Sequence, residues 1–214
     1  MNAIKIDIVS DVACPWCYIG KRRIEEAIKQ WQGTTIEVNW LPFQLDPTIP
    51  ATGVDRKTYL QNKFGDIEKV NQILAPLVQA GQEEGISFNF GDKWLAVNTL
   101  PLHQLLYVAG KEGFKNALKE SFFHAYFVEN LHLNDTKVLC EVLKEFSWDD
   151  SKTRSVIEDT GLAKEVQQQI ASSQARGVTG VPFFIINDKY GISGAQPSSA
   201  FLEAFAQVEG EVAS

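Results

Sequence analysis

At 214 residues and roughly 150 residues per domain, the chain has room for one large or two small domains and can bury a core without disulfide staples. Hydrophobic residues make up 44% and charged residues 22%, with 13 Phe and 5 Trp, which excludes a disordered tail and points to an aromatic-rich core. Twenty basic and 27 acidic residues leave a net charge of −7 without any run of five like charges, so neither nucleic acid nor an anionic membrane is an expected partner.

Charged residues interrupt the stretch 1–9 where a signal peptide would need apolar ones, and no apolar run approaches the roughly 18 residues that cross a bilayer. The C-terminal residues 211–214 carry no lipidation box. A cytoplasmic location is therefore expected. In residues 3–9, Ile4, Ile6 and Ile8 alternate with Lys5, Asp7 and Val9, which predicts a strand. Ile19, Ile24, Ala27, Ile28 and Trp31 then recur at helical spacing until Gly33, a helix that opens at the first two cysteines. Residues 35–41 alternate again until Pro42.

Helical spacing runs through 58–84, 98–110, 113–130, 135–146 and 160–176, with stops at Gly85, Gly113 and Gly161 and with Asn98 and Asp135 at N-cap positions. Residues 181–186 and 190–194, joined by Asn187-Asp188-Lys189, predict a hairpin, and a last helix follows from Pro197 to Val208. Neither end has strands enough for a stable sheet alone. The expectation is an α/β domain formed by 1–50 and 177–214, with 51–176 as a large all-helical insertion domain.

Three cysteines make no disulfide framework, but Cys14-Pro15-Trp16-Cys17 follows a predicted strand and opens a predicted helix, the setting of a redox dithiol. Free N–H groups in the first helical turn favour negative charge, so the Cys14 thiol is expected to ionise more readily than a free one. Pro15 suits the first helical position, where a missing N–H costs nothing. Cys17 is one turn on and in reach of Cys14. Structural zinc would need four ligands, and Cys140, His103, His124 and His132 form no second closely spaced pair, so no metal is expected.

The run Ser10-Asp11-Val12-Ala13-Cys14-Pro15-Trp16-Cys17-Tyr18-Ile19-Gly20-Lys21, with Gly177-Val178-Thr179-Gly180-Val181-Pro182-Phe183-Phe184 and Ser193-Gly194-Ala195-Gln196-Pro197, resembles the DsbA-like thioredoxin-fold oxidoreductases of the FrnE-like branch. The resemblance spans nearly the whole chain and implies a thioredoxin fold carrying the helical insertion. It implies that Cys14 is the exposed nucleophile, Cys17 the buried resolving thiol, and Val181-Pro182 a cis-proline loop whose backbone meets substrate. The activity implied is a thiol–disulfide oxidoreductase, reductase or isomerase, acting through mixed disulfides. Trp16 stands where strongly oxidising periplasmic relatives carry histidine, and an indole cannot charge-stabilise a thiolate, so extreme oxidising power is not implied. The alternative is a glutathione-dependent isomerase or transferase of the 2-hydroxychromene-2-carboxylate isomerase or kappa type. Those relatives put serine at the position of Cys14, and two cysteines favour redox chemistry.

No tightly bound cofactor is expected, and glutathione stands as redox partner or co-substrate. The partners implied are disulfide-containing proteins or small thiols, met by a monomer or homodimer. Asp11 is read as a cap or turn residue, with proton transfer to and from Cys17 as the second role. Asn98 and His103 lie in a stretch that resembles the part of the insertion facing the active site, where they would contact substrate. Cap for Asn98 and a helix-face position for His103 are the plainer roles. Trp16 and Tyr18 could offer an apolar landing surface beside Pro15. Phe122, Phe123, Tyr126 and Phe127 share helical spacing and read as insertion core, Trp40 as sheet core, and Cys140 as a buried thiol.

Overall fold

The computed structural model describes residues 3–91 and 94–212, so the outermost two residues at each end of the expected sheet domain lie outside the described residues. In chain order the elements are β1 (Ile4–Ser10), α1 (Pro15–Gln30), β2 (Ile36–Pro42), β3 (Val54–Asp55), α2 (Arg56–Phe64), α3 (Ile67–Glu83), β4 (Leu95–Ala96) and α4 (Leu100–Lys111). They continue with α5 (Lys115–Phe127), α6 (Thr136–Lys144), α7 (Asp150–Glu158), α8 (Thr160–Ala175), β5 (Phe183–Ile186), β6 (Tyr190–Ser193) and α9 (Ser198–Val212).

Strands from the two ends of the chain form one sheet in the order β2-β1-β5-β6. β1 pairs parallel with β2 across the α1 crossover, setting Ile8 opposite Trp40. On its other side β1 pairs antiparallel with β5, setting Ile8 opposite Phe184. The alternation of β1 therefore acts as read: Ile4, Ile6 and Ile8 meet Ile24 and Ala27 of α1 and Phe201 and Phe205 of α9 in one buried cluster. Val9 faces the other way, with Phe43, Val178 and Ile185. β2 is an edge strand, which is why Glu37 and Asn39 tolerate their exposed positions.

The intervening segment holds seven helices among the described residues and, unlike the wholly helical expectation, a two-residue ladder between β3 and β4. The helix expected over 58–84 is two. Gly65, at φ 106°, leaves right-handed helical space, and the Asp66 side chain then caps α3 by accepting the Lys69 N–H at 3.0 Å. The sequence reading missed α7. Its polar sequence buries Thr153 alone and has no apolar stripe, so its start is marked by a cap, Asp149 accepting the Lys152 N–H at 2.7 Å. Asp135 caps α6 as expected, accepting the Lys137 N–H at 2.9 Å.

The core of the insertion runs without a break into the start of α1. Cys14, Cys17, Tyr18 and Ile19 share a cluster with Leu102, Phe122, Phe123, Tyr126 and Phe127. Tyr18 is stacked on Phe123 at 5.0 Å between ring centroids, and its hydroxyl donates to Glu120 Oε1 at 2.8 Å. Lys21 reaches Glu120 Oε2 at 2.8 Å, so α1 and α5 are joined by both packing and charge.

Candidate active site at the start of α1

β1 ends at Ser10 and the chain turns at once, the Cys14 N–H donating to the Asp11 carbonyl at 3.2 Å. Pro15 opens α1, and Cys14 is its N-cap residue, without a side-chain cap bond. Both Cys14 and Cys17 are free thiols. The Val181–Pro182 bond is cis, and the Cys14 Sγ–H donates to the Val181 carbonyl at 3.4 Å. The sheet brings these two loops together, because β1 and β5 are neighbours and lead into them. Gly20 completes the fit: a Cβ there would lie 3.0 Å from Pro182 Cγ and 3.2 Å from Phe184 Cζ. Behind it, the Gly194 N–H donates to the Pro182 carbonyl at 2.9 Å, and Arg23 of α1 donates to the Ala195 carbonyl at 2.7 Å. The turn at 194–197 thus braces the proline loop.

Two expectations for Cys14 are corrected. It is 4% exposed rather than open to solvent, nearly as buried as Cys17 at 1%, because Val181 and the insertion close over it. Its thiol is also pushed well above its ordinary value rather than lowered. The hydrogen bond to Cys17 is the largest cause, followed by burial and by negative charge on Cys17 and Asp11, and together these outweigh the Cys17 backbone N–H, which favours the thiolate.

Asp11 is buried near enough to the pair for its charge to act on Cys14. Its Oδ1 accepts from the Ala13 N–H at 3.4 Å and its Oδ2 from the Leu45 N–H at 2.8 Å, which makes it the tie between the active-site turn and the loop after β2. His103 Nε2 contacts Oδ1 at 3.3 Å and the Phe43 carbonyl at 2.8 Å. Burial pushes Asp11 up, yet the hydrogen bond and charge of His103 and the Leu45 N–H hold its carboxyl below the ordinary value. Burial pushes His103 below its ordinary value against the pull of Asp11, and its Nε2, facing two oxygens, is the donor to the Phe43 carbonyl and to Asp11. Lys119, 1% exposed on α5, completes this polar set. Its ammonium is 4.9 Å from the Trp40 ring centroid, and burial lowers it to about 8 against the charges of Cys17 and Asp11.

A pH dependence follows from His103. Above pH 6.5 neither the folded nor the unfolded chain protonates it; as pH falls below 6.5 the unfolded chain takes up a proton that the native site refuses, so stability falls. One such group contributes at most about 1.4 kcal/mol per pH unit. Urea unfolding at pH 7 and pH 5 should show a smaller loss in His103→Gln than in the natural chain. An equal loss in both would remove His103 as its source. The lowered Asp11 carboxyl adds a separate loss only below pH 3.8.

The remaining expected site residues divide by what already occupies them. His103 is 3% exposed, is committed to Asp11 and Phe43, and does not line the pocket that holds Cys14. Asn98 does not either. Its Oδ1 accepts from the Leu100 N–H at 3.0 Å and from Gln44 at 3.2 Å, and its Nδ2 donates to the Ile49 carbonyl at 2.8 Å. That is a capping bond at α4, made from one residue ahead of the N-cap, Thr99. Tyr18 is fully buried and leaves the landing surface. Trp16, half-buried, stays on it.

A pocket of about 380 Å³ opens beside the pair, lined by Cys14, Pro15, Trp16 and Val181 from the sheet domain and by Arg56, Tyr59, Leu60, Leu74 and Trp94 from the insertion. A larger hollow of about 610 Å³ lies against β2 and α4 and includes neither cysteine. Four expected residues, Cys14, Pro15, Trp16 and Val181, therefore meet at one cavity, in the size range of small-molecule sites. Sequence reasoning missed Arg56, Tyr59 and Lys119. Lys119 had a signal, since it precedes Phe122, Phe123 and Tyr126 at helical spacing on an apolar face. Arg56 had none, because its burial comes from Trp94, far along the chain.

Residues 5–206 match the model of the DSBA-like thioredoxin domain. A probable DsbA oxidoreductase from Streptomyces coelicolor is 33% identical and superposes with a TM-score of 0.89 over 97% of this chain and 91% of its own. At the level of fold alone, the chain is similar to a 2-hydroxychromene-2-carboxylate isomerase, 16% identical, with a TM-score of 0.75 over 98% of each chain. The same holds for the cytosolic disulfide reductase DsbM from Pseudomonas aeruginosa, crystallised with glutathione: 15% identity and a TM-score of 0.65 over 95% of this chain and 99% of that one. With its sheet order, its paired cysteines and nearly its whole length accounted for by one family model, the chain belongs to the DSBA-like thioredoxin domain family.

Proposed function

We propose that the protein is a thiol–disulfide oxidoreductase, a disulfide reductase or isomerase, that works through Cys14 and Cys17. The observation that carries this reading is the placement of two free thiols in the first turn of a helix, with Cys14 bonded to the Val181 carbonyl and lining a pocket. In the reducing direction the Cys14 thiol loses its proton and the thiolate attacks one sulfur of a substrate disulfide. That disulfide breaks, its electron pair leaves on the second sulfur, which is then protonated, and Cys14 carries the first in a mixed disulfide. Cys17, as thiolate, then attacks Cys14 sulfur. The first substrate sulfur, the one Cys14 carried, leaves and is protonated to a thiol as the Cys14–Cys17 disulfide forms, so substrate gains two electrons and the pair loses them. Two glutathione molecules would restore the dithiol in a reducing compartment, and the cytoplasm is the location that fits. Among the described residues no helix is long and apolar enough to cross a membrane.

Cysteine at both positions favours this reading over a glutathione-dependent isomerase, which needs to hold the sulfur of glutathione and has no use for a resolving thiol. The test is an equilibrium titration of the pair against reduced and oxidised glutathione, followed by thiol labelling. The expected result is a two-electron transition near or below the cytosolic poise of about −220 to −320 mV. A pair that never closes into a disulfide would overturn the proposal.

A further inference from the structure

The pocket beside Cys14 contains a cation that has no carboxylate partner among the described residues. Arg56, the first residue of α2, is 8% exposed, and its guanidinium carbon is 4.4 Å from the Trp94 ring centroid and 5.2 Å from that of Tyr59. Its Nε is buried without a hydrogen-bond partner, and among the described residues no carboxylate forms an ion pair with it. Among the described residues, the two acids nearest in the chain and the pocket are engaged. Asp55 caps α2, accepting the Thr58 N–H at 2.8 Å and its hydroxyl at 2.6 Å. Asp46, the one acid lining the pocket, accepts the Thr48 N–H at 2.9 Å and its hydroxyl at 2.5 Å.

A guanidinium does not escape burial by losing its proton, and stacking on two rings recovers only part of the hydration it gives up. A buried arginine left this way is matched by a planar anion that takes two N–H bonds at once. The rest of the pocket is apolar, with Trp16, Ile49, Leu60 and Leu74 on its walls, and Lys63 at the Tyr59 hydroxyl adds a second positive charge.

We propose that Arg56 is an anion anchor, so that the pocket selects thiol or disulfide partners carrying a carboxylate on an apolar or aromatic body. This rests on the oxidoreductase reading for the sulfur and on Arg56 alone for the carboxylate. The chain's net charge of −7 repels anions, so a preference for one must be local.

Two measurements separate the inference from the reading beneath it. In the first, the reduced protein is titrated with 2-naphthoate and with neutral 2-naphthylmethanol, following tryptophan fluorescence. Naphthoate should bind at least tenfold more tightly, Arg56→Met should erase the difference, and Arg56→Lys should keep part of it. Thermal unfolding reports whether Arg56→Met is folded; if it is not, the natural chain and Arg56→Lys decide. Equal affinity for the two probes in the natural chain would overturn the anchor. In the second, the reduced protein reacts with 5,5′-dithiobis(2-nitrobenzoate), an aromatic disulfide with carboxylates, and with neutral 4,4′-dithiodipyridine. Arg56→Met should slow the first at least tenfold and change the second less than twofold, while equal slowing of both would count against the anchor. If Cys14→Ser reacts as fast as the natural chain, the oxidoreductase reading fails while the naphthoate preference stands.

Discussion

Cys14→Ser is expected to lose insulin-disulfide reduction by a factor on the order of a thousand or more, the scale on which removing an essential nucleophile acts. A serine hydroxyl stays protonated at neutral pH and forms no bond equivalent to a mixed disulfide. Cys17 cannot substitute, since it is buried and, unlike Cys14, does not line the pocket through which a disulfide would approach. Sulfur-to-oxygen replacement barely changes the volume, so loss of fold is not the cause. Cys17→Ser should behave differently: the first attack survives, resolution does not, and mass spectrometry should find the enzyme carrying its substrate or glutathione on Cys14. Full activity in Cys14→Ser would end the oxidoreductase reading.

Phe123→Ala carries the largest expected loss of stability. The ring is fully buried on α5, stacked on Tyr18 at 5.0 Å with 14° between planes, and 6.3 Å from Phe127. Truncating such a ring costs about 3–5 kcal/mol, a large share of the roughly 5–15 kcal/mol that holds a domain together. The loss is not confined to the insertion. Tyr18 follows Cys17 directly, so a cavity at Phe123 removes the surface against which the first turn of α1 packs. The urea midpoint should drop without a change in slope, and the Cys14 reaction with a neutral disulfide should change as well, because Val181 and the insertion no longer close over it firmly. A loss below about 1 kcal/mol would show that the aromatic cluster tolerates the void by collapsing into it.

The parts of the molecule that were legible in the sequence are those governed by local rules. The alternation of Ile4, Ile6 and Ile8, the proline at the first position of α1 and the Asp135 cap each depend on neighbours within a few residues, and each appears where it was read. The same is true of the dithiol motif, whose spacing within one helical turn already puts two sulfurs in reach. Readings of burial held for Cys17, Trp40, Cys140 and the Phe122–Phe127 set, whereas readings of openness at the site failed. Cys14 read as open and is covered, His103 read as facing substrate and is spent on Asp11, and Tyr18 read as a landing surface and is core. Periodicity says which residues share a helix face; it does not say what packs against that face.

By itself, then, the sequence determined the four strands of the main sheet, most of the helices, their order and the residue types available at 14 and 17, because backbone geometry and sulfur chemistry act over a turn or less. The tertiary structure alone decided how that chemistry is housed. It joins β1 to β5, and so the dithiol to the Val181–Pro182 loop, across more than 160 residues of chain. It buries Asp11, His103 and Lys119 as one set, and it buries Arg56 at a pocket with no carboxylate partner among the described residues. These outcomes depend on desolvation and charge pairing between distant segments, and such energies exist only once the segments have met.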